Sequence, residues 1–215
     1  AWGQAQGAAP HQSKKNAAAV ADFKTDFVTH LRDAIPETNQ QPVRVWASDE
    51  SRFGLHTVHR QRITARGVKP IGVHQHEFKN TWVFGAVEPL SGASHFMEFP
   101  TLTTPMVQRF LDDFAQAYPK SLNLILMDNA STHRAKALVI PSNVVLVFQP
   151  PYSPEVNPCE RVWQALKTAI AWEPFADLDA LRQRLGDVVR SYTDAMLQSL
   201  TGYPYFVDAV NALSL

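Results

Sequence analysis

"FQPPYSPEVNPCERVWQALK", residues 148–167, is the stretch on which the fold turns. A β-type run over 144–148 leads into it. Val162, Ala165, Leu166, Ala169 and Ile170 lead out at helical spacing, predicting a helix over 158–171. Between the two stand Pro150, Pro151, Pro154 and Pro158. Proline lowers the freedom of a loop and so fixes where the next element starts. Asn157 is a good N-cap and Pro158 suits the first helical position, which puts Glu160 at the third. A capping box places a glutamate there too, so a plain cap explains Glu160 taken alone. A cap does not call for a rigid approach. A side chain that must be held to within about half an ångström does.

Two acids far upstream give that rigidity a purpose. In "VWASDES", strand alternation puts Val43, Val45, Ala47 and Asp49 on one face. In "LNLILMDNA", Leu122, Leu124, Leu126 and Asp128 share a face in the same way. Each strand is expected to end in a carboxylate, at the edge where open α/β sheets bind ligands. Taken singly, either aspartate also reads as a strand-end turn former. Carboxylates brought together from two strands and a helix start repel one another unless a divalent cation joins them. Mg²⁺ and Mn²⁺ take carboxylate oxygens and keep positions open for water and phosphate. Two such ions about 3.5–4 Å apart suit in-line displacement at a phosphodiester. Glu50 falls on the other strand face and is not assigned. Glu160, Gln164 and Lys167 make one row at i, i+4 and i+7, a carboxylate, an amide and an ammonium fit for a phosphate backbone or for plain solvent.

The remaining chain reads as strands over 43–49, around 70–77, 81–88, 94–99, 122–128 and 144–148. Helices are predicted over 17–35, from Thr103 or Thr104 to about 117, and over 177–200, with a short helix or turn at 131–138. The order predicts an α/β fold: a mixed sheet, an antiparallel meander plus parallel strands, flanked by helices. The expected division is a linker and helix at 1–40, a core at 41–172 and a helical extension at 173–215.

Composition bounds the function. In 215 residues, 45% are hydrophobic, with five Trp and twelve Phe, enough for a large core. No apolar run approaches the roughly 20 residues that span a bilayer, and there is no secretory start. A single cysteine, Cys159, fits a reducing compartment and a small structural role. A cytoplasmic, nucleoid-associated protein of a bacterial-type cell with no membrane partner is expected. Twenty basic residues balance twenty acidic ones, without the excess of a general nucleic-acid binder. The span 51–76 nevertheless holds no acid and carries Arg52, Arg60, Arg62, Arg66 and Lys69, a basic face or an ordinary solvated hairpin. His56, His59, His74 and His76 in the same span offer a zinc alternative or plain surface histidines.

"WASDESRFGL", "LILMDNASTHRA" and "FQPPYSPEVNPCERVWQALK", in that order, resemble the catalytic domain of mariner-like insertion-sequence transposases of the DDE superfamily. The gap from Asp128 to Glu160, 160 − 128 = 32, agrees with that family's spacing. The resemblance implies a ribonuclease-H-like fold shared with retroviral integrases. It implies two Mg²⁺ (or Mn²⁺) ions held by Asp49, Asp128 and Glu160 as the catalytic acids. It implies hydrolysis of one DNA strand at the element end and transfer of the freed 3′ hydroxyl into target DNA. Asn129, His133 and Asn157 match the family's pattern as supporting residues. Arg60, Arg62, Arg66, Lys69, Gln164 and Lys167 are candidate DNA contacts. Two element ends imply a homodimer in the active complex, and the isolated domain is compatible with a monomer. Residues 1–40 are too short for the helix-turn-helix modules of full-length members, so sequence-specific end binding is not expected. Two alternatives keep the fold: a structure-selective nuclease, and a catalytically silent domesticated DNA-binding or assembly protein.

Overall fold

The computed structural model describes residues 16–55 and 79–213. One five-stranded sheet is built from β1 (Val43–Gly54), β2 (Asn80–Val87), β3 (Ser94–Phe99), β4 (Leu122–Met127) and β5 (Val144–Phe148). Its order is β3-β2-β1-β4-β5. The β1–β2 and β2–β3 pairs are antiparallel, and the β1–β4 and β4–β5 pairs are parallel. This is the expected meander joined to parallel strands. The strand expected around 70–77 lies outside the described residues.

Alternation divides the side chains between two cores. Trp46, Phe84, Ile125 and Met127 face α3 (Thr104–Ala117), which meets them with Val107, Phe110, Leu111 and Phe114. Those four recur at helical spacing, and Pro105 sits in the first turn, where its missing N–H costs nothing. Val45, Ala47, Leu124, Leu126 and Val147 face the other way, onto α4 (Cys159–Ala169). Both faces of β4 are covered, so all six of its residues are buried and it reads as an apolar run interrupted at Asn123.

The same second core takes in α1 (Ala17–Thr25), α2 (Phe27–Ala34), α5 (Leu178–Ser191), α6 (Asp194–Thr201) and α7 (Pro204–Asn211). The helix expected over 17–35 is thus two, broken at Asp26, with the Phe23 and Phe27 rings 5.3 Å apart across the break. The helix expected over 177–200 is also two. Tyr192 and Thr193 are extended, and the Thr193 hydroxyl accepts from the Met196 N–H at 3.2 Å to start a new helix. Residues 131–138 form turns. Among the described residues no helix is long and apolar enough to cross a membrane.

Candidate active site

β1 pairs with β4 only as far as Ala47, then continues against β2 to Gly54. Asp49 therefore stands mid-strand, opposite Gly85, and not at a strand end as alternation suggested. It is the end of β4, not of β1, that opens space beside it. Carrying the parallel register on from Ala47↔Leu126 by two residues brings Asp128, the residue after β4, level with Asp49.

Glu160 arrives from the other side of this opening. After β5 the chain turns at Tyr152, whose φ of 56° is the left-handed region, rare for a residue with a side chain. A single 3-10 turn, Pro154–Val156, follows. Asn157 then makes two buried bonds. Its Oδ1 accepts from the Cys159 N–H at 3.0 Å, and its Nδ2 donates to the Ser48 carbonyl at 2.8 Å. The start of α4 is thereby pinned to β1 one residue from Asp49. Asn157 is extended, with φ −84° and ψ 113°, while Pro158 already has helical angles, φ −59° and ψ −27°, so Asn157 is the capping residue and Glu160 keeps the third position that the spacing predicts. The Asn157 N–H, which a capping-box glutamate would take, goes to the Pro154 carbonyl at 3.0 Å. The capping explanation of Glu160 therefore fails, and its carboxylate faces a cavity of about 430 Å³ that Asp49, Asp128, Asn129 and Asn157 also line.

Each aspartate is gripped by a different partner. The Trp163 indole N–H donates to Asp49 Oδ2 at 2.9 Å. Asp128 Oδ1 accepts from the Ala130 N–H at 2.9 Å and from His133 Nδ1 at 2.7 Å. His133 Nε2 reaches Glu50 Oε1 at 3.1 Å. Burial alone would push the His133 imidazole down, but the bonds and charges of Asp128 and Glu50 outweigh it and carry it up to about 10. The ring is thus an imidazolium donating from both nitrogens. The His133 bond in turn holds Asp128 below the usual carboxylate range. Burial, then the charges of Glu50 and Glu160, holds Asp49 well above it. Burial raises Glu160 as well, with Lys167 opposing and Asp128 adding to the rise.

The sequence reading missed Glu50 and Trp163. Alternation does send Glu50 to the opposite face from Asp49. His133 wraps past the end of β4 and joins that face to Asp128, which no pattern local to β1 reveals. Trp163 stands three residues after Glu160, the spacing of neighbours on one helix face, and that was the available signal. Asn129 braces the loop, donating to the Gln149 carbonyl and accepting from Arg134 at 2.8 Å. Gln164 is exposed on α4, and the Lys167 ammonium lies 5.7 Å from the Phe53 ring centre. Cys159 is fully buried with its thiol raised by burial, which fits a structural role. Arg60, Arg62, Arg66, Lys69 and the histidines of the zinc alternative lie outside the described residues.

Residues 44–182 match the DDE superfamily endonuclease family. The chain belongs to that family. An uncharacterized protein, y4pE/y4sA, of Sinorhizobium fredii (strain NBRC 101917 / NGR234) is 34% identical over 87 residues, 40% of this chain and 64% of the relative. A Mos1 transposase paired-end complex with left transposon end superimposes with a TM-score of 0.66 at 14% identity, covering 100% of this chain and 66% of that one. A Mos1 mariner paired end complex with Mn gives 0.68 at 14% identity, covering 99% and 66%. At that identity the likeness is one of fold, and it gives this DDE endonuclease the ribonuclease-H-like architecture. The chain spans just under two thirds of the length of these proteins.

The donor set of this DDE endonuclease suits a hard divalent ion: carboxylate oxygens on a cavity with room for water and phosphate. The electrostatics suit it too, since a cation would offset the burial that chiefly raises Asp49 and Glu160 and the carboxylate repulsion that adds to it. The acids do not close on a common point. Among the described residues no three His, Cys, Asp or Glu side chains are grouped as an ion-holding set. Trp163 and His133 each hold one aspartate oxygen to the protein side.

Proposed function

We propose that this DDE endonuclease is the catalytic domain of a transposase. It hydrolyses one DNA strand at an element end and joins the freed 3′ hydroxyl to target DNA. The observation that carries this reading is the meeting of Asp49, Asp128 and Glu160, from two strands and a helix, on one cavity. These three would hold two Mg²⁺ or Mn²⁺ ions, whose chemistry when bound is Lewis-acid stabilisation of the attacking and leaving oxygens. The solved Mos1 complexes of the same fold, one with a left transposon end and others with Mn or Mg, support the choice of DNA and of metal.

The chain's own residues then divide the work. His133 fixes Asp128 Oδ1 and holds its carboxyl below the usual range. Asn157 and the proline ramp hold Glu160 in place against β1. Lys167 and Gln164, on the Glu160 side of α4, offer a cation and an amide to a phosphate backbone. Pro150, Pro151 and Tyr152 give the nucleotide an apolar wall. Arg60, Arg62, Arg66 and Lys69 belong to the proposal as further phosphate contacts, read from the sequence alone. Two ends require two catalytic domains, hence a homodimer in the active complex.

The test is incubation with labelled linear and branched duplexes and Mn²⁺, scoring nicked and joined products, beside Asp128→Asn. Nicking and joining, both lost in the variant, are expected. Nicking without joining makes the protein a structure-selective nuclease. DNA binding with no chemistry, unchanged in Asp128→Asn, overturns the proposal in favour of a silent binding protein.

A further inference from the structure

We infer that Trp163 is a positioning residue for Asp49. Its indole N–H fixes which carboxylate oxygen is turned from the cavity, so α4 delivers both Glu160 and the clamp on Asp49. The inference rests on the proposed metal-dependent reading.

Trp163 is 1% exposed, and its ring is braced edge-on by Phe53 and Phe96, with centroids 6.4 and 6.1 Å away. Packing alone would accept a phenylalanine in this slot. An indole is a donor only, and a buried one requires an acceptor. Here the acceptor is Asp49 Oδ2 at 2.9 Å, 114 residues away in sequence. The slot exists because the residue paired with Asp49 is Gly85. A Cβ there would stand 2.6 Å from the Phe96 ring and 2.8 Å from Trp163 Cη2. The strand thus gives up a side chain opposite the acid, and the indole occupies the space. A carboxylate with one oxygen committed to a rigid donor presents the other in one orientation. Partners of this kind typically alter metal affinity by about 10–100-fold when removed.

The experiment measures Mn²⁺ binding by the loss of the free-ion EPR signal, on the full chain without DNA. Four proteins are compared: wild type, Trp163→Phe, Trp163 replaced by 3-benzothienylalanine, and Leu166→Ala. Benzothienylalanine keeps the bicyclic shape and exchanges N–H for sulfur, so it serves where Trp163→Phe fails to fold. Leu166 is fully buried on the same helix, and its truncation loosens α4 without touching the donor. The expected result is a Kd raised about 10–100-fold by both donor deletions and unchanged in Leu166→Ala. In DNA cleavage, the Mn²⁺ concentration for half-maximal rate should rise in the same proportion. Equal Mn²⁺ affinity in wild type and the benzothienyl variant overturns the role of Trp163 alone. Equal weakening by Leu166→Ala overturns it as well, since a loosened helix then suffices. Wild type that binds no Mn²⁺ overturns the metal reading itself, and this role with it.

Discussion

His133→Gln tests the buried ionic bridge. In the wild type the imidazolium is 3% exposed and donates to Asp128 and Glu50. The Glu50 side chain is only 5% exposed, so losing its partner strands a carboxylate out of water. A rise in the His133 pKa from 6.5 to about 10, at about 1.36 kcal/mol per pH unit, caps the linked stability at about 5 kcal/mol. The Asp128 side chain is 43% exposed, and solvent screens that half of the bridge. A contribution of about 3 kcal/mol follows. The sign is fixed by the direction of the shift. The folded state keeps the proton that the unfolded state releases, so the contribution is full below about pH 6.5 and disappears as pH rises through about 10. Urea unfolding in chelator, from pH 6 to 10, measures it. The wild-type advantage over His133→Gln should shrink steadily as pH rises. An advantage that is flat with pH, or below about 1 kcal/mol at pH 6, would refute the bridge.

Gly85→Ala should destabilise by about 1–3 kcal/mol, because the added methyl meets the buried Trp163 ring and the half-buried Phe96 ring; melting should fall by roughly 3–8 °C, and an unchanged Tm would show that the slot is not tight. Asn157→Ala removes the bonds to Ser48 and Cys159 and should cost about 2–3 kcal/mol by chemical denaturation, with a loss below about 0.5 counting against the pin. Cys159 should resist alkylation in the native protein and react fully in denaturant, as mass spectrometry would show; rapid native labelling at neutral pH would contradict its burial.

The parts legible in the sequence were those with a local signature. Apolar alternation before Asp49 and Asp128 gave their strands and the face they share. The prolines before Glu160 gave the rigid approach to α4. What the sequence left hidden depends on contacts between distant residues. Nothing around Asp49 says that β2 goes on pairing beyond it, since that is settled by the lengths of β2 and β4. Nothing around Glu50 announces a histidine 83 residues on. The break before α6 did have a local sign, Thr193 followed by Asp194, but uninterrupted helical spacing hid it. Gly85 reads as a weak point in a strand until the indole opposite is known.

The proline ramp is held from behind as well as in front. The Tyr205 hydroxyl, on α7, donates to the Val156 carbonyl just before Asn157 reaches Ser48. A chain emerging from the ribosome has both aspartates long before it has Glu160, and Glu160 long before it has Tyr205. The acids are made first and their brace last. The support behind Glu160 is complete only when synthesis has passed α7, so the proposed cutting centre is fully braced only once that helix is made.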